Sequence, residues 1–315
     1  MGTTILLLFK KKTLIIDRSI FTTLPSYYKI AMMKERLKQY IYLMRLHKPI
    51  GILLLLWPTL WALWLASSGR PASRLIFIFV AGVILMRSAG CIMNDFADRH
   101  FDGQVRRTKD RPLARGKIYV YEAVILFLLL GGLALLLVLQ LNRLTFMYAL
   151  FGALITVMYP FMKRFTYLPQ VGLGIAFTWS IPMVFAAQQG RLTWQAWFLF
   201  FTVLLWPIIY DTFYAMVDRE DDLRIGLKST AILFAQADRL IIGILQGVFL
   251  LALSAVGLFF HLGIFYYLSL ILAAILFAYQ QHLIRREGTT GCFKAFLNNN
   301  WVGMIIFMGI YFARK

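Results

Sequence analysis

Residues Arg74 to Asp102 read RLIFIFVAGVILMRSAGCIMNDFADRHFD. The stretch begins as an apolar run of the length that crosses a bilayer as one helix, about 20 residues. It ends in four polar residues in quick succession: Asn94, Asp95, Asp98 and Asp102. A membrane helix that delivers carboxylates to one surface is the reading on which the rest of the chain is organised. Arg87 lies within the run, about two turns before Asn94, and an arginine inside a span is functional by default.

Similar apolar runs recur along all 315 residues. Hydrophobic residues make up 60% of the chain and charged residues only 15%. Soluble domains carry roughly 25% charged residues, so this composition lies outside their class. No ~10-residue alternation of polarity marks a membrane β-barrel. The sequence therefore predicts an all-α membrane protein with nine spans, near 49–67, 74–93, 119–140, 143–162, 168–189, 195–217, 238–260, 264–284 and 296–313. Pro182 and Pro207 fall inside two of them, which membrane helices tolerate.

The formal charge of +19 fits lysine and arginine in cytoplasmic loops facing anionic lipid, and nucleic acid is not expected as a partner. The loop 94–118 carries Arg99, Arg106, Arg107, Lys109, Arg111, Arg115 and Lys117; Lys163, Arg164, Arg219, Arg224, Lys228, Arg285, Arg286 and Lys294 lie in loops of the same parity. The opposite loops offer Arg70, Arg74, Arg143 and Arg191. The N-terminus and the loops after spans 2, 4, 6 and 8 should thus be cytoplasmic, with the C-terminus outside. Cys91 and Cys292 have no CxxC or histidine context, so neither a disulfide framework nor a thiolate metal site is expected. Residues 1–31 read as a dispensable extension, disordered or upstream of a true start at Met32 or Met33, and 32–315 as a single transmembrane domain.

The acids decide the chemistry. Of 14 acidic residues, nine fall in two windows: Asp95, Asp98, Asp102 and Asp110, then Asp211, Asp218, Glu220, Asp221 and Asp222. Asn94, Asp98 and Asp102 stand at i, i+4 and i+8, on one face if the helix continues that far. Asp218 and Asp222 are again i, i+4, with Asp211 and Tyr214 one to two turns earlier on roughly the same stripe. Like charges at that spacing destabilise a helix, and an acid at membrane depth costs about 2.5–3.5 kcal/mol on insertion scales. A divalent cation offsets both costs. An all-oxygen ligand set favours a hard ion, Mg²⁺ first and Ca²⁺ or Mn²⁺ next. Mg²⁺ is commonly held by one or two carboxylates plus substrate phosphates, so two facing clusters would clamp a diphosphate. Simple pairing of the acids with neighbouring cations is the plainer alternative, strongest for Asp110 and Glu220; Asp221 lies off the stripe.

These motifs resemble those of the UbiA superfamily of intramembrane prenyltransferases. The first, N-D-x-x-D-x-x-x-D, is met by Asn94, Asp95, Asp98 and Asp102; the second, D-x-x-Y-A-M-x-D-x-x-D-D, by Asp211, Tyr214, Asp218, Asp221 and Asp222. The stretches Met44–Gly51, Arg111–Gly116, Tyr159–Gln170 and Gly226–Thr230 narrow the resemblance to the bacterial branch that prenylates 4-hydroxybenzoate for ubiquinone. His47 stands where that branch has aspartate, and Phe213 where glutamine is common.

The resemblance implies Mg²⁺-dependent transfer of a polyprenyl group from polyprenyl diphosphate to C3 of 4-hydroxybenzoate, in the bacterial inner membrane. It implies one Mg²⁺ on Asn94, Asp98 and Asp102 and another on Asp218 and Asp222, with Asp95 beside them. Lys109, Arg111, Arg115, Lys163, Arg164 and Lys228 are the cations on offer for the diphosphate. Arg87 is a candidate for the acceptor carboxylate, and Asp211 for the phenol or the proton lost at C3. Other enzymes of the superfamily, such as haem O synthase, and a divalent-cation transporter are the competing expectations.

Overall fold

The computed structural model describes residues 26–314, and every regular element among them is helical. In chain order these are α1 (Ser26–Leu43), α2 (Ile50–Ala66), α3 (Ser73–Asp98), α4 (Val120–Val138), α5 (Arg143–Met158), α6 (Pro169–Thr178), α7 (Ser180–Gln189), α8 (Trp194–Arg224), α9 (Thr230–Phe234), α10 (Asp238–Phe259), α11 (Ile264–Arg286) and α12 (Gly288–Ala313). Eight segments are long and apolar enough to cross a membrane, with α6 and α7 forming one and α9 and α10 another; α2 is a shorter apolar helix of 17 residues, at the lower limit of a span. The nine expected passes are all present as helices. Of the expected N-terminal extension, residues 26–31 form the start of α1, and the remainder lies outside the described residues.

Three boundaries differ from expectation. Helix α3 stops at Asp98, so Asp102 is not on its stripe but in a following 3-10 turn, Asp102–Gln104. In that turn Asp102 is held by Arg111, further along the same loop. Helix α8 runs on past 217 to Arg224 and keeps the second acidic window helical. Helix α12 begins at Gly288 rather than 296.

The prolines act as their chemistry requires. Pro182 lacks the N–H that would bond to Thr178 and its ring crowds that carbonyl, and the fifth pass breaks there into α6 and α7. Pro58 and Pro207 stay inside unbroken helices packed into the core, where both are buried. Helix α8 has the largest buried share of any span, whereas α4 and α5 keep most of their surface outward for lipid.

The core centres on indoles that must satisfy their N–H groups where no water is available. Trp61 and Trp206 stack at 5.3 Å. Trp206 donates to Asn299 Oδ1 (2.9 Å), Trp57 to Asn300 Oδ1 (3.0 Å) and Trp61 to the Gly303 carbonyl (3.1 Å), so α12 accepts from three indoles. A second chain of amides joins α10, α11 and α12. Gln246 donates to Gln280 (3.0 Å) and Gln280 to Asn298 (2.9 Å). Gly303 has no room for a side chain: a Cβ there would stand 2.4 Å from Trp57 and 2.6 Å from Trp206. Gly303→Ala should therefore destabilise the purified protein by about 1–3 kcal/mol through overpacking, seen as an earlier thermal unfolding midpoint in detergent. An unchanged midpoint would show that the indoles can move aside.

Candidate active site

The end of α3 presents Asp95 and Asp98, both buried, and the turn beyond it presents buried Asp102. Each has a cation. Arg45 Nη2 donates to Asp95 at 2.7 Å, and Arg111 Nη1 lies 3.1 Å from the same carboxylate. Arg111 Nη1 also donates to both oxygens of Asp102 at 2.9 Å. Lys163 Nζ donates to Asp98 Oδ2 at 2.5 Å. Burial raises Asp102 above the usual carboxylate range, although Arg111 opposes it. Burial works most strongly against the charge of Arg45, but Asp95, together with Cys91 and Tyr214, offsets it and the guanidinium is shifted upward. Arg45 adopts φ +55°, a left-handed conformation that a long side chain seldom takes, at the point where it reaches Asp95.

The second window lies along α8. Arg107, from the loop after α3, crosses to it: its Nε donates to Asp218 Oδ1 at 2.9 Å, its Nη groups make close bonds to Asp218 and the Tyr214 hydroxyl, and its guanidinium stands 4.2 Å from the Tyr214 ring centroid. The Arg106 backbone N–H donates to Asp221 at 3.1 Å. Asp98 and Lys163 both lie within electrostatic reach of Asp222. The two acidic segments, more than a hundred residues apart, therefore face each other across one cleft with Arg107, Arg111 and Lys163 between them.

Further along α3, toward the membrane interior, a drier cluster adjoins this cleft. The Arg87 guanidinium lies against Gly51, where a Cβ would stand 2.4 Å from two of its nitrogens, so only glycine admits it. Its Cζ is 5.5 Å from the Phe177 ring, and its Nε is buried with no hydrogen-bond partner. Asp211, hydrogen-bonded by Gln170, is within electrostatic reach of Arg87, as are Tyr159 and Tyr210. The Tyr210 hydroxyl is also buried without a partner. Beside this cluster, α3, α4, α5 and the α6–α7 pass enclose an apolar cavity of about 550 Å³, walled by Val83, Met86, Phe127, Gly131, Thr156 and Trp179.

The remaining residues singled out from sequence are placed elsewhere. Arg164 donates to the Ala97 carbonyl (2.5 Å), Lys228 to the Phe165 carbonyl (3.2 Å), and Arg115 pairs with Asp110. Lys109 is exposed. Only Arg111 and Lys163 of the six candidate cations touch an acid of the two metal stripes. His47 packs edge-on against Tyr42 at 4.4 Å, away from the acids named here. Sequence reasoning missed Arg45 and Arg107. Nothing set Arg107 apart within a uniformly basic loop, and Arg45 gave a signal only through its place in the Met44–Gly51 stretch.

The donor set suits a hard divalent ion: carboxylates and an asparagine, with no thiolate or histidine. The Asp98 Oδ1 is buried and has no hydrogen-bond partner. Among the described residues no three acidic, histidine or cysteine side chains converge enough to hold an ion alone.

A model of the UbiA prenyltransferase family matches residues 55–307. A 4-hydroxybenzoate octaprenyltransferase from Coxiella burnetii is 54% identical over 283 residues, covering 90% of this chain and 99% of its own. The protein of the same name from Vibrio campbellii is 56% identical over 282 residues, with the same coverage. Among solved structures, the apo form of a UbiA homolog from Aeropyrum pernix K1 aligns with a TM-score of 0.72 at 23% identity, covering 82% of this chain and 96% of that one. A UbiA homolog from Archaeoglobus fulgidus bound to GPP and Mg²⁺ aligns with a TM-score of 0.66 at 17% identity, covering 86% and 99%. At these identities the structural likeness speaks for the fold.

Proposed function

We propose, from the premise that this chain belongs to the UbiA prenyltransferase family, that it transfers a polyprenyl group from polyprenyl diphosphate to C3 of 4-hydroxybenzoate. The observation that carries this reading is the cleft where two acidic segments face each other beside a buried, open-handed arginine. The long identity with proteins named for that reaction supports the choice of acceptor.

Asn94, Asp98 and Asp102 would hold one Mg²⁺, and Asp218 and Asp222 another. When bound, Mg²⁺ supplies neutralisation of the leaving diphosphate. The protein's own residues do the rest. Lys163, Arg107 and Arg111, which pair with the acids, are the cations placed to bind the phosphate oxygens of the diphosphate. Arg87 takes the benzoate carboxylate with its free Nε, which orients the ring. Tyr159, Tyr210 and Phe177 keep water from the allylic cation as the C1–O bond breaks. The new bond forms between C1 and ring C3, and Asp211, hydrogen-bonded by Gln170, receives the C3 proton. The apolar cavity beside the cluster takes the prenyl tail. Nothing lies within 4 Å of a Cβ added at Gly131, so Gly131→Phe should fill that space and shift the enzyme toward shorter donors. An unaltered donor preference would place the tail elsewhere.

The distribution of lysine and arginine supports placing the cleft on the cytoplasmic side of a bacterial inner membrane. The deciding experiment is turnover by the purified protein of 4-hydroxybenzoate with prenyl diphosphates of several lengths, with and without Mg²⁺. Indifference to 4-hydroxybenzoate together with turnover of another aromatic would overturn the choice of acceptor. Divalent-ion flux in proteoliposomes free of prenyl diphosphate would instead favour a transporter.

A further inference from the structure

A second polar pocket lies apart from the cleft, where the end of α8 meets the start of α10, the end of α11 and the start of α12. It measures about 390 Å³. Its lining is rich in donors: Arg219, Gln236, Arg239 and Thr289. The only acid on its wall is Asp238, already engaged by Arg219 Nη2 and by the Arg239 backbone N–H at 2.5 Å. Among these groups the carboxylate answers one guanidinium, that of Arg219, and one backbone N–H. The Arg219 Nε is buried with no hydrogen-bond partner, and the Arg239 guanidinium has no ion-pair partner among the described residues.

Two further features point the same way. Helix α12 starts here at Gly288, with no side chain capping its first turn, so its unsatisfied N–H groups and positive end face the pocket. The rim includes Ala235, held at φ +48°, ψ −117°, a conformation a residue with a Cβ rarely adopts and keeps only where its surroundings enforce it. That turn fixes Gln236 and Asp238 in place. The deeper wall is apolar, with Met216, Ile284 and Cys292. A site with surplus donors and an apolar wall, at the end of membrane helices, suits an amphipathic anion.

We propose that this pocket binds a phosphate group, as carried by the headgroup of an anionic phospholipid or as the free ion. The bound phosphate would take the open Nε of Arg219 and the guanidinium of Arg239. It would also brace the last turns of α8, where Arg219 adjoins Asp218. The proposal stands independently of which aromatic the enzyme prenylates.

Native mass spectrometry of the full chain tests it, with phosphatidylglycerol, phosphatidylcholine and inorganic phosphate as probes. Phosphatidylcholine carries the same phosphodiester but is zwitterionic, so the surplus positive charge of the pocket should retain phosphatidylglycerol over it by about tenfold or more. The double variant Arg239→Gln, Thr289→Val should lose that preference while its thermal midpoint stays unchanged, which shows that it is folded; Gln236→Ala should weaken it. Displacement of the lipid by millimolar inorganic phosphate would support the free ion as occupant, and resistance to displacement would support the lipid headgroup. Equal retention of the two lipids together with no phosphate binding overturns the proposal. So does an undiminished preference in the folded double variant.

Discussion

Asp98→Ala and Asp218→Ala should each lower kcat/KM for prenyl transfer by about 10³-fold or more, beyond rescue by added Mg²⁺. Removing a single preorganised electrostatic group from an active site commonly costs about 10²–10³-fold. Here each change removes a carboxylate from one wall of the cleft and also strands the cation that stood on it: Lys163 in the first case, Arg107 in the second. Both proteins should still insert, with a lower thermal midpoint because Lys163 or Arg107 is left without its partner. The check is a Mg²⁺ titration of purified variants alongside their thermal midpoints. Near-normal turnover in either variant would refute the metal assignment, whereas loss of folding would make the activity measurement uninformative; Asp98→Asn, which keeps the shape, then serves as the control.

The second large effect concerns the acceptor. Arg87→Met should raise KM for 4-hydroxybenzoate by roughly 30–100-fold, from the loss of a charge-assisted bond contributing about 2–3 kcal/mol. KM for the prenyl diphosphate should move by no more than about twofold. Gly51→Ala is an independent probe of the same contact, since its methyl would occupy the space of the guanidinium. It too should weaken acceptor binding with little effect on the donor. If both variants keep a normal KM for 4-hydroxybenzoate, the carboxylate is recognised elsewhere and Arg87 serves another purpose.

Much of this architecture is legible in the amino-acid order because the bilayer enforces it. A helix must be apolar over its whole span, so nine runs give nine helices, and motif spacing alone puts Asp218 and Asp222 on one face. What stayed hidden depends on partners distant in sequence. Asp102 lies off the α3 stripe in a turn where it pairs with Arg111, which is just one of many cations in its loop. The sequence places residues 288–295, with Lys294, in a loop before the 296–313 span, whereas they form the first turns of α12; Asn298 to Asn300 lie inside the expected span. Those amides belong in the membrane because Gln280 and two indoles from α2 and α8 satisfy them. The cleft was visible as two lists of acids. Its closure by Arg107, from one list to the other, was not, because a basic loop reads the same whether or not one member reaches across.

The cations standing on the acids have a consequence for how this protein is made and stored. Arg45, Lys163, Arg111 and Arg107 pair with Asp95, Asp98, Asp102 and Asp218 respectively, so four of the acids of the cleft have a cation from the chain itself. Folding should therefore not depend on magnesium, unlike that of small metallo-domains whose assembly waits for the ion. Purified protein stripped with EDTA should therefore keep its thermal midpoint within about 2 °C while losing turnover, and should recover fully when Mg²⁺ is restored. A cell short of magnesium would then hold an idle enzyme rather than a misfolded one.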